Sequence, residues 1–508
     1  MPHHTHPFNR RPAPPTQRAP QNGQVLIWFL AFAATLAVVF AGVYSVGQVT
    51  SEKQKVTNAT DAAAYSGAMV EARALNLTAY TNRSVIANEV LIAQLVSLDS
   101  WTSYFEKATD NYYKEANALS NIPYVGIVFK ALAITFQTIN KIVSPLAKTV
   151  DQTVPVVITA WEALYAGWYN LTIAPAFIPP VMALAANNTA NGVLAQNVAT
   201  QGGRTDTAPR MLHGNAMMVR NQLEWSQLVK HYKASGTHGT SSDDRKYAAE
   251  ILLASRDTFS TNRTGSDTFF LNTLFGNSEF CIPFVIKMGS EKQGPTDLKN
   301  FDRWEAQDTV EWKLKVGPTG CSWGKGTAAV PQGWGRATAD RNGNTAGTRR
   351  DTSGGAGSLA YSANHANSGW TGVKELYDVD RGNNGRPRRE ELRLTVVAGK
   401  EANAVRTNEA LGFENRPMTG PTGSPDLKAG FAKGQIATIS EARVFFERPQ
   451  RNARDITGGS LFRADNFKEY ASMYNPYWQV RLVAPSSTTK ALVYGLDGIN
   501  PAISVFAQ

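Results

Sequence analysis

Charged residues are missing from one long segment near the N-terminus. Residues 24–46, QVLIWFLAFAATLAVVFAGVYSV, contain no Asp, Glu, Lys or Arg, and the first such residues after them are Glu52 and Lys53. As a helix, the run from Val25 to Val46 would rise about 33 Å, which is enough to cross a hydrocarbon layer of about 30 Å. A buried core helix of this length normally keeps a polar stripe, so the absence of charge argues against one.

The sequence therefore predicts a transmembrane anchor over residues 24–47. Its large apolar side chains are those of Val25, Leu26, Ile27, Trp28, Phe29, Leu30, Phe32, Leu36, Val38, Val39, Phe40 and Val43. A cleaved signal peptide is the alternative interpretation, since a basic segment precedes the run. Signal peptides have an apolar region of about 7–15 residues followed by a small-residue cleavage site, so the longer run favours an uncleaved anchor.

The flanks of the anchor predict its orientation. Residues 1–23 form a predicted disordered, basic tail with three arginines and no acid, and two lysines, Lys53 and Lys55, follow the anchor. This small excess of positive charge before the anchor predicts a cytoplasmic N-terminus. We therefore expect the bulk of the chain to lie on the other side of the membrane, in a periplasm or at the cell surface.

Cysteine is scarce: Cys281 and Cys321 are the only two in 508 residues. A sparse pair is compatible with one disulfide in an oxidising compartment, and two unrelated buried thiols are the alternative. The chain has no Cys-x-x-Cys pair, so zinc-ligand spacing cannot be assembled around them.

Proline is absent between Gln21 and Ile122. Residues 48–100 are rich in Ala and lack this helix breaker, so they are predicted to continue the anchor as a long helix. One unbroken helix from Gln24 to Leu98 would be on the order of 110 Å long. Apolar residues recur every seven positions. The residues three or four positions after them are not regularly apolar, which argues against a two-stranded coiled coil. We expect a small-residue face of this helix to pack against neighbours.

The remaining chain divides into a predicted helical subdomain at 101–280 and a β-rich exported domain at 281–508. Two apolar segments of the helical part, 122–143 and 154–173, hold Lys130, Lys141 and Glu162. They are either helices of a bundle, helices on the membrane surface, or a second membrane span.

Strand-like alternation follows Cys281. It occurs in VEWKLKV (310–316), LRLTVV (392–397), ARVFFERP (442–449) and YWQVRLV (477–483). Residues 317–386, rich in Gly, Asn, Ser and Thr, are predicted to form long loops. The predicted fold class is α+β, with a transmembrane helix continuing into a long helix, a helical subdomain and a mainly antiparallel β-rich domain.

No catalytic, cofactor-binding or metal-binding motif is complete. GPTGCSWGKGT (317–327) has Thr319 where a phosphate loop needs glycine, and DTSGG (351–355) ends in Gly355 where a metal-adhesion motif needs a hydroxyl. The histidines, His365 among them, are dispersed and are interpreted as structural or surface residues. We expect no enzyme activity, no cofactor and no small-molecule substrate. The net charge of +10 permits contact with nucleic acid but does not indicate it.

A competing hypothesis starts from three tryptophans in the glycine-rich stretch. Trp323, Trp334 and Trp370 would form sugar-binding platforms if their indole rings were exposed. The protein would then be an anchored periplasmic enzyme or a binder of cell-surface polymer. The alternative is that these rings cover a sheet.

The N-terminal segment resembles the TadE/TadG-like family of Flp (tight-adherence, type IVc) pilus-assembly proteins. Its pattern is a Gly-Gln pair before the apolar span, a polar break with two lysines, and an Asn-Ala-Thr-Asp-Ala-Ala-Ala signature with a small-residue continuation. The positions that carry this pattern are Gly23, Gln24, Asn58, Asp61, Ala62, Ala63, Ala64 and Gly67.

The resemblance implies a membrane-anchored structural or assembly component, minor pilin-like or pseudopilin-like, whose partners are other pilus-assembly or pilin-like subunits. Prepilins of this kind are cut after a glycine and carry Glu at the fifth mature position. Here the fifth residue after Gly23 is Trp28. We therefore expect an unprocessed N-terminus and permanent residence in the bacterial inner membrane.

Overall fold

A computed structural model describes most of the chain. The described residues are 24–123, 126–197, 200–201, 204–205, 207–235, 239, 242–264, 278–283, 286–316, 321–322, 327–341, 355–382, 384–401, 435–448 and 469–497. The predicted tail 1–23, Gly23, Trp323 and Asp351 lie outside them.

The helices of the described residues lie mainly in the first half of the chain. They are α1 (Gln24–Leu119), α2 (Gly126–Leu164), α3 (Ala174–Ala176), α4 (Pro179–Gln196), α5 (Gly214–Leu228), α6 (Lys246–Ala254), α7 (Gly355–Ser362) and α8 (Ser487–Leu496). A π-helix, Tyr165–Ile173, joins α2 to α3.

Helix α1 is continuous over 96 residues, or about 144 Å. The prediction of one helix from the apolar run to Leu98 is confirmed, and the helix continues further, to Leu119. The chain can sustain it because no proline interrupts it and Ala is frequent. Pro123 disfavours helical geometry at the residue before it, which explains the end of the helix.

Helix α2 folds back along α1. The rings of Phe136 and Tyr112 lie 5.4 Å apart, and further along α2 the indole nitrogen of Trp161 donates to Glu89 at 2.8 Å. Helix α4 continues this return path, because Ala186 and Ala190 reach Gly67 of α1. The helices therefore form an antiparallel layer along residues 67–112 of α1.

Fourteen strands lie in the described residues. They are β1 (Thr200–Gln201), β2 (Arg204–Thr205), β3 (Arg210–Met211), β4 (Val229–Tyr232), β5 (Ser278–Ile282), β6 (Ile286–Gln293), β7 (Thr296–Lys299), β8 (Arg303–Val316), β9 (Ala328–Asp340), β10 (Asn364–Ser368), β11 (Leu376–Val379), β12 (Glu391–Glu401), β13 (Gln435–Phe446) and β14 (Trp478–Val483).

Two sheets pack against α1. The larger has the order β10-β9-β8-β6-β5 with β7 also on β8, and the smaller has the order β14-β13-β12-β3. All neighbours are antiparallel except β9 and β10, which are parallel. One apolar cluster runs from Ala59 of α1 through both sheets to Trp478. The α+β fold class with mainly antiparallel sheets is confirmed.

The range 101–280 is not helical throughout, because it contains β1–β4. Strand β3 pairs with β12, and β4 pairs with β11. Contacts between distant parts of the chain therefore tie this range to the C-terminal strands.

The prediction of long loops over 317–386 is wrong for β9, α7, β10 and β11. The small residues that suggested loops serve close packing instead. A Cβ on Gly335 of β9 would lie 2.2 Å from the carbonyl oxygen of Ser100, so only glycine allows β9 to cross α1 at this distance.

The predicted face alternation of VEWKLKV holds only at its start. Val310 is buried, but Glu311 and Lys315 are also buried and Leu314 is exposed. The burial of Glu311 and Lys315 has local causes. The Ala356 N–H of α7 donates to Glu311 Oε1 at 2.7 Å, and Lys315 Nζ donates to the carbonyl oxygen of Ser322 at 2.9 Å, so the charged face of β8 is covered too.

Candidate functional site: an exposed apolar helix end held by a sheet

The first 22 residues after Gln24 project from the fold as an exposed helix. The side chain of Val25 is 82% exposed, and even Leu36, the least exposed of the twelve predicted anchor residues, is 40% exposed. The most apolar 18-residue window of this helix has no buried residue. The structure thus places all twelve predicted residues on one unbroken, uncovered helical segment.

Burial begins abruptly at the first charged residue. Glu52 is buried, and its carboxylate lies 2.8 Å from Lys400 Nζ on β12 and 2.6 Å from Lys55 Nζ one turn along α1. Because Lys400 is itself buried, this ion pair fixes the base of the exposed segment to the smaller sheet. We call these three residues the Glu52 anchor.

Further hydrogen bonds extend this attachment along α1. The hydroxyls of Thr57 and Thr438 lie 3.1 Å apart, and Ser440 Oγ donates to Asp61 at 2.6 Å. Asn58 is exposed and lines a cavity of about 310 Å³ next to the Glu52 anchor. Asn58 and Asp61 of the signature therefore face solvent and strand β13, respectively.

The small residues of the signature face the interior. Ala63 and Ala64 are fully buried. A Cβ on Gly67 would lie 2.9 Å from the carbonyl oxygen of Ala186 and 3.1 Å from the Leu394 side chain. Small side chains therefore allow α1 to approach α4 and β12 closely.

Residues 23–70 match the family of putative Flp pilus-assembly TadE/G-like proteins. This TadE/G-like segment includes the whole exposed run, the signature and two members of the Glu52 anchor. Searches of the curated proteins and of the solved structures found no match.

The small-residue face of the TadE/G-like segment does not offer a free surface. We expected it to pack against neighbours, and the neighbours are α4 and the smaller sheet of the same chain. Its exposed surface for other molecules is consequently the apolar run before Glu52, together with exposed positions such as Tyr65.

A second helical segment, Gly126–Ala176, is also long and apolar enough to cross a membrane by composition. Ile127, Ile142 and Leu171 are among its exposed residues. Its position along α1 argues against its crossing the same bilayer as the exposed apolar run. Asn140 donates to Thr109 of α1 at 3.0 Å, and Thr109 lies about 95 Å along the helix from Val46.

The two cysteines form a disulfide with a Cα–Cα distance of 5.9 Å. Two buried lysines hold the segment that carries Cys321. Lys287 Nζ donates to the carbonyl oxygen of Cys321 at 2.8 Å, and Lys315 Nζ donates to that of Ser322 at 2.9 Å. This explains why a lysine occupies a buried position of β8.

The tryptophans do not form a shared platform in the described residues. Trp370 is fully buried and donates to Glu89 at 3.0 Å, so its ring covers the core. Trp334 is partly buried on β9. A platform formed by all three rings is excluded because Trp370 cannot contact a ligand.

A cavity of about 690 Å³ lies beside the turn between β7 and β8. Asn300 and Phe301 both have left-handed backbone geometry, with φ of 52° and 59°, and Val373 donates to the Phe301 carbonyl at 2.8 Å. Arg245, on the wall, is paired with Asp302 at 2.8 Å. Arg245, Lys299, Arg303, Arg341 and Lys374 line the cavity together with Asp302, Asp340 and Glu375, so its wall carries charges of both signs.

Sequence reasoning missed a cluster formed by Asp99, Asp151 and His365. Nδ1 of His365 lies 3.1 Å from Asp99 Oδ1 and 3.5 Å from Asp151 Oδ1. The three residues come from α1, α2 and β10, and no local motif links positions so far apart. The hydrogen bond with Asp99 is the largest cause that raises the pKa of His365.

Two further carboxyl groups are buried in α1. Burial raises the pKa of Glu89 to about 7, although the Lys374 charge and the indole donors Trp161 and Trp370 lower it. Burial also raises the pKa of Glu71 well above its ordinary value, with a contribution from the Glu224 charge. Both groups are therefore sensitive to pH within the folded core.

Proposed function

We propose that this chain is a membrane-anchored structural and assembly component of a bacterial Flp/Tad-type pilus, minor pilin-like or pseudopilin-like, without catalytic activity. The observation that carries the proposal is the exposed apolar end of α1, which continues without a break into the folded body. The TadE/G-like match supports its assignment to pilus assembly.

Hydrophobic energetics favour a bilayer around the exposed run. Burying a large apolar side chain is worth about 1.5–3 kcal/mol, so twelve of them represent about 18–36 kcal/mol. A helix of about 33 Å matches the hydrocarbon thickness, and beyond its first turn its backbone groups are paired within the helix. The span of α1 thus supplies both the length and the energy for stable insertion.

The proposed topology has a cytoplasmic N-terminus and a periplasmic or surface-exposed body at the bacterial inner membrane. Three arginines precede the run and two lysines follow it. The Cys281–Cys321 bond is consistent with an oxidising compartment for the body.

Because α1 is continuous, it would fix the folded body relative to the membrane span. Glu52 lies six residues after Val46, or about 9 Å along the helix, and it is already held by Lys400. The body would therefore sit directly above the membrane in a fixed orientation. In this arrangement, pilin-like partners would meet the apolar helix in the bilayer and the body outside it.

Substitution of Ala37 by Arg tests the anchor. At the centre of a bilayer the charge costs about 2.5 kcal/mol or more, so we expect less carbonate-resistant membrane protein and fewer pili in a complementation assay. Ala37→Leu is the matched control and should behave like the wild type. An Ala37→Arg protein that remains in the membrane and supports normal piliation would refute the proposal.

N-terminal sequencing of the protein from its host tests the processing. Trp28 cannot provide the charge pairing of a glutamate at the fifth mature position. We therefore expect an N-terminus upstream of Gly23. A mature start at Gln24 would replace the permanent-anchor proposal with that of a processed minor pilin.

The second candidate function is an anchored enzyme or cell-surface polymer binder. The cavity beside Asn300 and Phe301 favours it, because left-handed geometry at a residue such as Phe is costly and concentrates at functional sites. Sedimentation of the full chain with peptidoglycan, in comparison with Arg341→Ala on the cavity wall, would test it. No sedimentation by the wild type would remove this candidate.

A further inference from the structure

Three separate elements meet at His365. It lies on β10, the strand that pairs in parallel with β9 at the edge of the larger sheet. Asp99 lies in the last quarter of α1 and is fully buried, whereas the side chain of Asp151 on α2 is 49% exposed. The cluster is thus buried on one side and open to solvent on the other.

The charges and contacts around Nδ1 of His365 favour a metal ion over a proton, because a metal ion can bind several ligand atoms at once. Nδ1 carries at most one proton, yet it faces carboxylate oxygens of both Asp99 and Asp151, with Ser103 Oγ at 3.3 Å. An imidazolium supplies one positive charge against two carboxylates, and Glu106 adds a third negative charge nearby. A divalent ion bound to neutral imidazole would balance the two aspartates.

Two of the three distances between the donor atoms match the spacing of zinc ligands. Zn²⁺ binds nitrogen and oxygen at about 2.0–2.2 Å in a tetrahedron, which places neighbouring ligands about 3.3–3.6 Å apart. The two distances from Nδ1 are 3.1 and 3.5 Å, and all three donor atoms lie within 4.8 Å of one another. Imidazole with carboxylates is a donor set that suits zinc and related first-row divalent ions.

We propose that Asp99, Asp151 and Nδ1 of His365 form a binding site for a divalent metal ion of the zinc class. The open side at Asp151 provides the entry path and a fourth position for water. Binding forms the metal–Nδ1 bond and releases the Nδ1 proton to solvent. Because each ligand belongs to a different element, the ion would fasten α2 and β10 to α1.

The test uses the full chain in detergent after removal of metals with a chelator. The N-terminal tail contains His3, His4 and His6, which could also bind zinc, so all proteins carry alanine at these three positions. Zn²⁺ is titrated by calorimetry, and Co²⁺ is titrated as a spectroscopic probe of geometry. We expect one Zn²⁺ per chain and a visible Co²⁺ absorption typical of a tetrahedral site.

Asp151→Asn is the decisive variant because its exposed side chain is not needed for the core. We expect its Zn²⁺ affinity to fall at least tenfold, and we expect Asp110→Asn, an exposed carboxylate of α1 outside the cluster, to bind like the parent. Zn²⁺ should also slow amide hydrogen exchange in β10 and in α2 near Asp151 in the parent alone. Absence of binding by the parent, or equal binding by Asp151→Asn, would overturn the proposal.

Discussion

Gly67→Ala tests the close approach of α1 to α4 in the TadE/G-like segment. Within an exposed helix, glycine is about 0.5–1 kcal/mol less favourable than alanine, so the substitution normally stabilises. At Gly67, however, the new Cβ would lie 2.9 Å from the Ala186 carbonyl oxygen and 3.1 Å from Leu394. The oxygen belongs to the backbone of α4, so the helix itself must move by several tenths of an ångström.

Overpacking of a core costs about 1–3 kcal/mol, which exceeds the gain in helix propensity. We therefore expect Gly67→Ala to lower the free energy of unfolding by about 1–2 kcal/mol and the midpoint of thermal unfolding by a few degrees. The measurement is thermal unfolding of the full chain in detergent, followed by circular dichroism. Sensitivity to trypsin at a fixed temperature provides an independent readout.

Gly192→Ala is the matched control. Gly192 lies in the interior of α4 and is exposed, and a Cβ there would meet no atom within 4 Å. It should stabilise the protein by about 0.5–1 kcal/mol, the opposite sign. If Gly67→Ala stabilised the protein as Gly192→Ala does, the close packing of α1 against α4 would be refuted.

Three further predictions concern other parts of the fold. Lys400→Met leaves Glu52 with only the half-exposed Lys55 as a partner and should cost about 2–3 kcal/mol, whereas Lys114→Met removes an exposed pair and should cost less than about 1 kcal/mol in the same unfolding assay. A non-reduced digest of host protein should contain the two cysteine peptides linked, and free thiols would contradict the bond. Burial raises the pKa of Glu89 from 4.5 to about 7, so the folded state keeps a proton that the unfolded state loses. The free energy of unfolding should therefore fall by about 3 kcal/mol as pH rises through that interval, and Glu89→Gln should flatten the curve; an unchanged pH profile would argue against the raised pKa.

Local sequence patterns predicted where strands lie better than which of their faces are buried. The strands around Leu392, Val444 and Val480 alternate in sequence and are strands in the structure. The same rule failed after Val310, because α7 and the segment that carries Cys321 cover the charged face of β8, and the residues of β8 do not indicate that cover. It also failed at Gly335, where a residue typical of loops lies in a strand that crosses a helix.

The sites that depend on distant contacts had no signal in the sequence. Glu52 finds Lys400 on β12, and Asp99 finds Asp151 and His365, across gaps that contain several elements. Each residue type is common and each position lacks a motif. Their chemistry therefore could not be predicted before the chain was folded.

By itself, the sequence determined that a long uncharged helix begins near the N-terminus, because the absence of charge and of proline is a property of consecutive residues. It also determined the TadE/G-like character of that segment. Only the tertiary structure decided which face of α1 is covered: its small residues pack against α4 and a sheet of the same chain, and its apolar end remains exposed. The physical reason is that a backbone can approach another only where both surfaces are small, and that complementarity belongs to pairs of elements rather than to either one alone.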